Sequence, residues 1–305
     1  MICLIDRLRL LRNAFCLILS CLLLFIAASA EPEEDLGSWL VQGNSALENG
    51  SFREAESFFD RALKIDGDNA SAWGGKGVAL SRLGRYKMAE MCFGLALKVE
   101  KTNLQYWLED GLAKEMRGRW SEAIESYEKA LYLNDSPAQA WLGMGNASLA
   151  LKEYEDAERF YRNATDRGQA QAGWNGTLNV LLAQGQGSLD RGKFKEAYNI
   201  SRKALALAPQ DLRFMEMRCS ALAGQGYASE AVSCYDQIIS SSPSSDQAVK
   251  AKSRLLTGLG EGELAAGNVS RAQEFLEQAR LLDPRNEDAV LGLAKALSRR
   301  GDLLF

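Results

Sequence analysis

Apolar positions recur every three to four residues within short segments of this chain, and the segments themselves recur every 34 residues. Trp39, Gly43 and Leu47 fall four residues apart, on one face of a helix. Gly50-Ser51 interrupts that pattern, and Phe52, Ala55, Phe59, Ala62 and Leu63 form a second stripe at helical spacing. Asp66-Gly67-Asp68-Asn69 closes it with turn chemistry. The segment therefore predicts two antiparallel helices.

The pattern is copied in register. Trp39, Trp73, Trp107 and Trp141 are spaced by 34 residues, and so are Gly43, Gly77, Gly111 and Gly145. The alanines Ala55, Ala89, Ala123, Ala157 and Ala62, Ala96, Ala130, Ala164 keep the same step. So do the aromatic columns Phe52, Tyr86, Trp120, Tyr154 and Phe59, Phe93, Tyr127, Tyr161. Gly and Ala at the crossings let helix axes approach to about 8–10 Å, with the aromatics filling the space beside them. One hairpin cannot bury both of its faces, so the copies are expected to stack.

These columns, with the ending Asp283-Pro284-Arg285-Asn286, resemble the tetratricopeptide repeat. The resemblance implies an all-α fold, a right-handed superhelical solenoid of antiparallel helix hairpins whose first helices line a concave groove. Four regular repeats are expected over residues 36–171, and three divergent ones over 172–286. In the divergent part Ala157 to Ala197 spans 40 residues and Ala231 to Ala272 spans 41, while Trp174 still lies 33 after Trp141. An insertion of about seven residues is two helical turns, so the first helices of the fifth and seventh repeats are expected to be lengthened. Residues 287–305 read as a capping helix and tail.

At the N-terminus, Arg7, Arg9 and Arg12 precede an uncharged run from Asn13 to Ala30 that ends Ala28-Ser29-Ala30. Residues 1–30 read as a signal peptide cleaved after Ala30, or as an uncleaved signal anchor, followed by an acidic linker over 31–35. Eight of 13 asparagines begin N-x-S/T triplets: Asn49, Asn69, Asn134, Asn146, Asn163, Asn175, Asn199 and Asn268. That is far more than 29 Ser and Thr in 305 residues give by chance. The triplets read as N-glycosylation acceptors or as a bias carried by the repeat. Both features point to an extracytoplasmic protein, secreted or held at the membrane by its N-terminal segment alone.

Composition narrows the chemistry. The chain has no histidine, which removes histidine triads, proton shuttles and imidazole ligands. Its net charge of -4 offers no basic field for nucleic acid. Cys92, Cys219 and Cys234 form no CxxC pair, and no metal or cofactor is implied. Gly187-x-x-x-x-Gly192-Lys193 lacks the Ser or Thr of a phosphate-binding loop, since Phe194 follows. Cys219 and Cys234 flank Gly226 almost symmetrically, on the two helices of the sixth hairpin. They read as a disulfide, which export permits, or as two small buried thiols.

The expected function is binding and not catalysis: a scaffold or adaptor holding a peptide or helix of a protein partner in the groove. A holdase-like chaperone for exported chains is the alternative, and a carbohydrate-active enzyme the reading from another class. By the resemblance, the groove is lined by Leu40, Asn44, Leu47, Val78, Arg82, Leu108, Leu112, Glu115, Leu142, Asn146 and Leu149. These leucines suit an apolar segment, or they pack against neighbouring first helices.

Overall fold

The computed structural model describes residues 35–302, which form fifteen helices and no strand. The signal segment, most of the acidic linker and the Leu303-Leu304-Phe305 tail lie outside the described residues. The helices group into two compact units that divide between Ala147 and Ser148.

In the first unit, α1 (Leu36–Glu48) pairs with α2 (Phe52–Ile65), α3 (Ala70–Arg82) with α4 (Tyr86–Val99), and α5 (Leu104–Glu115) with α6 (Trp120–Leu133). Each helix also packs on the next hairpin: α2 on α3, α4 on α5, and α1 and α3 on the following first helices. The division falls inside α7 (Ala138–Ala150).

The second unit continues with α8 (Tyr154–Asp166), α9 (Ala170–Asp190), α10 (Phe194–Leu207), α11 (Leu212–Gly224) and α12 (Ala228–Ser241). It ends with α13 (Asp246–Ala265), α14 (Val269–Leu282) and α15 (Glu287–Asp302). Here α9 runs 21 residues and α13 runs 20, where α11 has 13. From α8 onward each helix packs on the next, and α13 also touches α15.

The chain turns within every hairpin by one device. After α1, Ser51 N–H reaches back to the Ala46 carbonyl at 2.8 Å and Gly50 N–H to Leu47 at 3.1 Å. This Schellman closure satisfies the last helical carbonyls and needs a left-handed residue, here Gly50 at φ 74°. Gly84, Gly118, Gly192, Gly226 and Gly267 repeat it. Between α7 and α8 the same position is Lys152, at φ 64°. Several first helices instead start on side-chain caps, though α9 does not: Asn69 Oδ1 accepts from Ala72 N at 3.0 Å, and Asn103 Oδ1 from Tyr106 N at 3.2 Å.

The columns explain the packing. Phe59 fits against Gly43 of its own hairpin and Gly75 of the next, and Tyr127 against Gly111 and Gly143. A methyl group at Gly111 would sit 2.7 Å from the Tyr127 ring. Ala55, Ala89, Ala123 and Ala157 are fully buried at the crossings. The Trp column ties each first helix to the loop before it. The indole N–H of Trp73, Trp107 and Trp141 donates to the carbonyls of Gly67, Lys101 and Asp135, at 2.8, 2.8 and 3.1 Å.

Candidate functional site

The first-helix face of the first unit is built from α1, α3, α5 and the start of α7. Its sequence-predicted residues fall into three groups. Leu40 and Leu47 are half-buried against the Trp39–Phe59 core, and Val78 against the Leu80–Phe93 core, so each shows only one side to solvent. Leu112 and Leu142 are half-buried, while Asn44 and Arg82 are exposed. Leu108 is 5% exposed and is a core residue. Leu149 lies in the second unit.

Glu115 and Asn146, 31 residues apart in sequence, meet directly, Asn146 Nδ2 donating to Glu115 Oε1 at 3.0 Å. The other carboxylate oxygen accepts from the Tyr127 hydroxyl at 2.8 Å. Burial first, then the Glu115 charge, push the Tyr127 phenol well above its ordinary range, so it stays a donor at all physiological pH. Second-helix and first-helix side chains are thereby locked together across the floor of this face.

Glu109 belongs to the same face and was not anticipated from the sequence. It lies three residues before Leu112 and seven before Met116 on α5. Its column elsewhere reads Val41, Gly75 and Gly143, and each of the two glycines makes room for an aromatic ring of the preceding hairpin. Glu109 is 5% exposed. Its Oε1 accepts from Gln105 Nε2 at 3.0 Å and lies 3.8 Å from the Arg82 guanidinium, while its Oε2 has no hydrogen-bond partner. Its being the one acid among Val41, Gly75 and Gly143 does not by itself reveal burial.

Beside it, Asp110 is also buried, at 3% exposure, and its Oδ2 takes two donors, Lys114 Nζ and Ser126 Oγ, both at 2.7 Å. Among the described residues no group of acids and cysteines is arranged to hold a metal ion, and no helix is long and apolar enough to cross a membrane.

Of the eight triplet asparagines, Asn49, Asn134, Asn146, Asn175, Asn199 and Asn268 are exposed, while Asn69 and Asn163 are half-buried. Asn69 is committed as the cap of α3 and also donates to Asp66 Oδ2 at 3.1 Å. In the second unit, Cys219 of α11 and Cys234 of α12 are joined as a disulfide with Cα atoms 5.5 Å apart. Cys92 is a buried free thiol whose pKa is pushed up to about 11 by burial.

One tetratricopeptide-repeat family profile matches residues 40–97 and 108–172, and a second matches 263–303. No curated protein matches the chain. Among solved structures, the C-terminal part of a repeat-containing protein from Cytophaga hutchinsonii is 16% identical. The match covers 83% of this chain and 99% of that one, with a TM-score of 0.57. A tetratricopeptide-repeat protein from Parabacteroides merdae is 16% identical over 86% of this chain and 98% of its own, with a TM-score of 0.47. YrrB, a tetratricopeptide-repeat protein with an unusual peptide-binding site, is 20% identical over 65% of this chain and 95% of its own, with a TM-score of 0.40. The hairpins described above, in 34-residue register and matched over these spans, are tetratricopeptide repeats, and the chain belongs to that family.

Proposed function

We propose that this protein is an extracytoplasmic interaction scaffold that holds a peptide or helix of a partner protein on the first-helix face of residues 35–147. Tetratricopeptide repeats serve protein–protein interaction, and the site must be argued from its own residues. One observation carries the reading: half-exposed Val78, Leu112 and Leu142, with exposed Met116, surround a floor that Glu115, Tyr127 and Asn146 hold rigid. Apolar side chains around a pre-formed polar floor suit an apolar segment that needs orientation as well as burial. Export is supported by the basic-then-apolar N-terminal run and by the asparagine triplets. Oxidised Cys219–Cys234 fits an oxidising compartment. Asn49 and Asn134, exposed at a helix end and in a loop, are the acceptors best placed for glycans. A glycan at Asn146 would compete with its bond to Glu115.

The test is affinity capture of the tagged protein from its own cells after cross-linking, alongside a Leu112→Asp/Met116→Asp variant of unchanged circular dichroism. One or two dominant partners, lost from the variant, would support the scaffold. A broad spread of unfolded exported chains would replace it with a chaperone, and partners retained by the variant would remove this face from consideration.

A further inference from the structure

Resting on that reading of the face, we infer that it selects a segment carrying a basic side chain, an arginine or lysine, which pairs with Glu109. A carboxylate taken out of water is costly unless it is paired and hydrogen-bonded, so an acid left half-satisfied in a folded protein calls for a partner. Glu109 is such an acid: it is 5% exposed, and Oε2 has no hydrogen-bond partner. The repeat does not demand an acid there, since the same position in the other regular copies is Val41, Gly75 or Gly143. Arg82 stands at 3.8 Å from Oε1, beyond hydrogen-bond reach, and is itself exposed. Asp110, the adjacent buried acid, is paired with a cation at hydrogen-bond distance, Lys114 Nζ at 2.7 Å from Oδ2, where Ser126 Oγ also donates.

The residues around Glu109 fix what the ligand must be. Leu112 and Met116 lie one and two turns further along the same side of α5, so the ligand is apolar on that side. Glu115 adds a second negative charge to the face, and its two oxygens are already held by Asn146 and Tyr127. Oε2 is buried as well as unpartnered, so the arriving cation would have to displace Arg82 toward solvent to reach it. An acidic segment would meet two carboxylates and one arginine, and is disfavoured.

The experiment is parallel selection of a displayed library of random dodecapeptides on the full chain, on Glu109→Gln and on Arg82→Ala. The expected result is a wild-type pool enriched in arginine or lysine beside apolar residues, with that enrichment absent from the Glu109→Gln pool. Removing the competing cation in Arg82→Ala should tighten binding of the basic peptides by several-fold. That gain is not expected of a purely structural Glu109, and it stands as a test even if Glu109→Gln fails to fold. Apolar peptides selected equally by all three proteins, with no basic preference, would overturn the inference while leaving the binding face intact. No enriched peptide in any pool would overturn the binding face and the inference together.

Discussion

At the scale of single residues, the turn column gives a direct test of how the hairpins close. Gly50, Gly84 and Gly118 adopt left-handed backbone at no steric cost, and Lys152 adopts the same conformation 34 residues after Gly118. A side chain there costs about 1–2 kcal/mol. Lys152→Gly should therefore raise the melting temperature, and Gly84→Ala should lower it; a Lys152→Gly variant that melts lower would refute the strain. Gly111→Ala would push a methyl into the Tyr127 ring and should destabilise by about 1–3 kcal/mol in chemical denaturation. Cys92, buried and with its thiol pKa raised, should resist alkylation in the native protein and react on unfolding, as mapped by peptide mass spectrometry. The glycine and alanine columns were legible in the sequence because packing imposes one residue type on them. Glu109 was not, because nothing in its spacing distinguishes a buried acid from one on a solvated face.

At the scale of elements, hairpins are held by helix-to-helix links that a single copy of the repeat does not reveal. The arginines Arg117 and Arg119, at the turn between α5 and α6, both grip Glu90 of α4. Burial alone would raise the Glu90 pKa, but the hydrogen bonds from Arg119 and Arg117 outweigh it and the net shift is downward. A depressed carboxylate contributes stability that is present above its unfolded value, about 4.3, and is lost as the pH falls through its lower folded value. Glu90→Gln should thus lower the melting temperature at pH 7, and the difference from the parent should shrink at acid pH. A difference that persists undiminished at pH 2 would show that the loss is one of packing.

The disulfide acts on the α11–α12 pair in the second unit. It closes a loop of 15 residues, so Cys234→Ser should cost about 3 kcal/mol in the denaturation of that unit. The sequence left this pair open between a disulfide and two thiols, because symmetry about Gly226 fixes the heights of the cysteines on their helices but not their facing. Ala123→Leu, at a fully buried crossing of α6, should cost about 1–3 kcal/mol for lack of room.

At the scale of the whole molecule, a repeat protein is stabilised by neighbour-to-neighbour interfaces, and its function lies in the positions that the repeat does not dictate. The all-α hairpin architecture was legible from four Trp and Gly columns, since those residues recur wherever the same contact recurs. The binding face was only partly legible. Counting from the Trp column selected Glu115 and Asn146, which the structure joins by a hydrogen bond, but it also selected Leu108, which the structure buries in the core. Spacing on a helix gives the direction of a side chain, whereas burial depends on what the adjacent hairpin brings against it.

The most direct test of the central claim is site-specific photo-cross-linking in the protein's own cells. The photoreactive residue would replace Met116 on the first-helix face, with Gly94 on the exposed side of α4 as the comparison. The account predicts a discrete adduct to one or two proteins from position 116 and none from position 94. Adducts from position 94 with none from position 116 would contradict it.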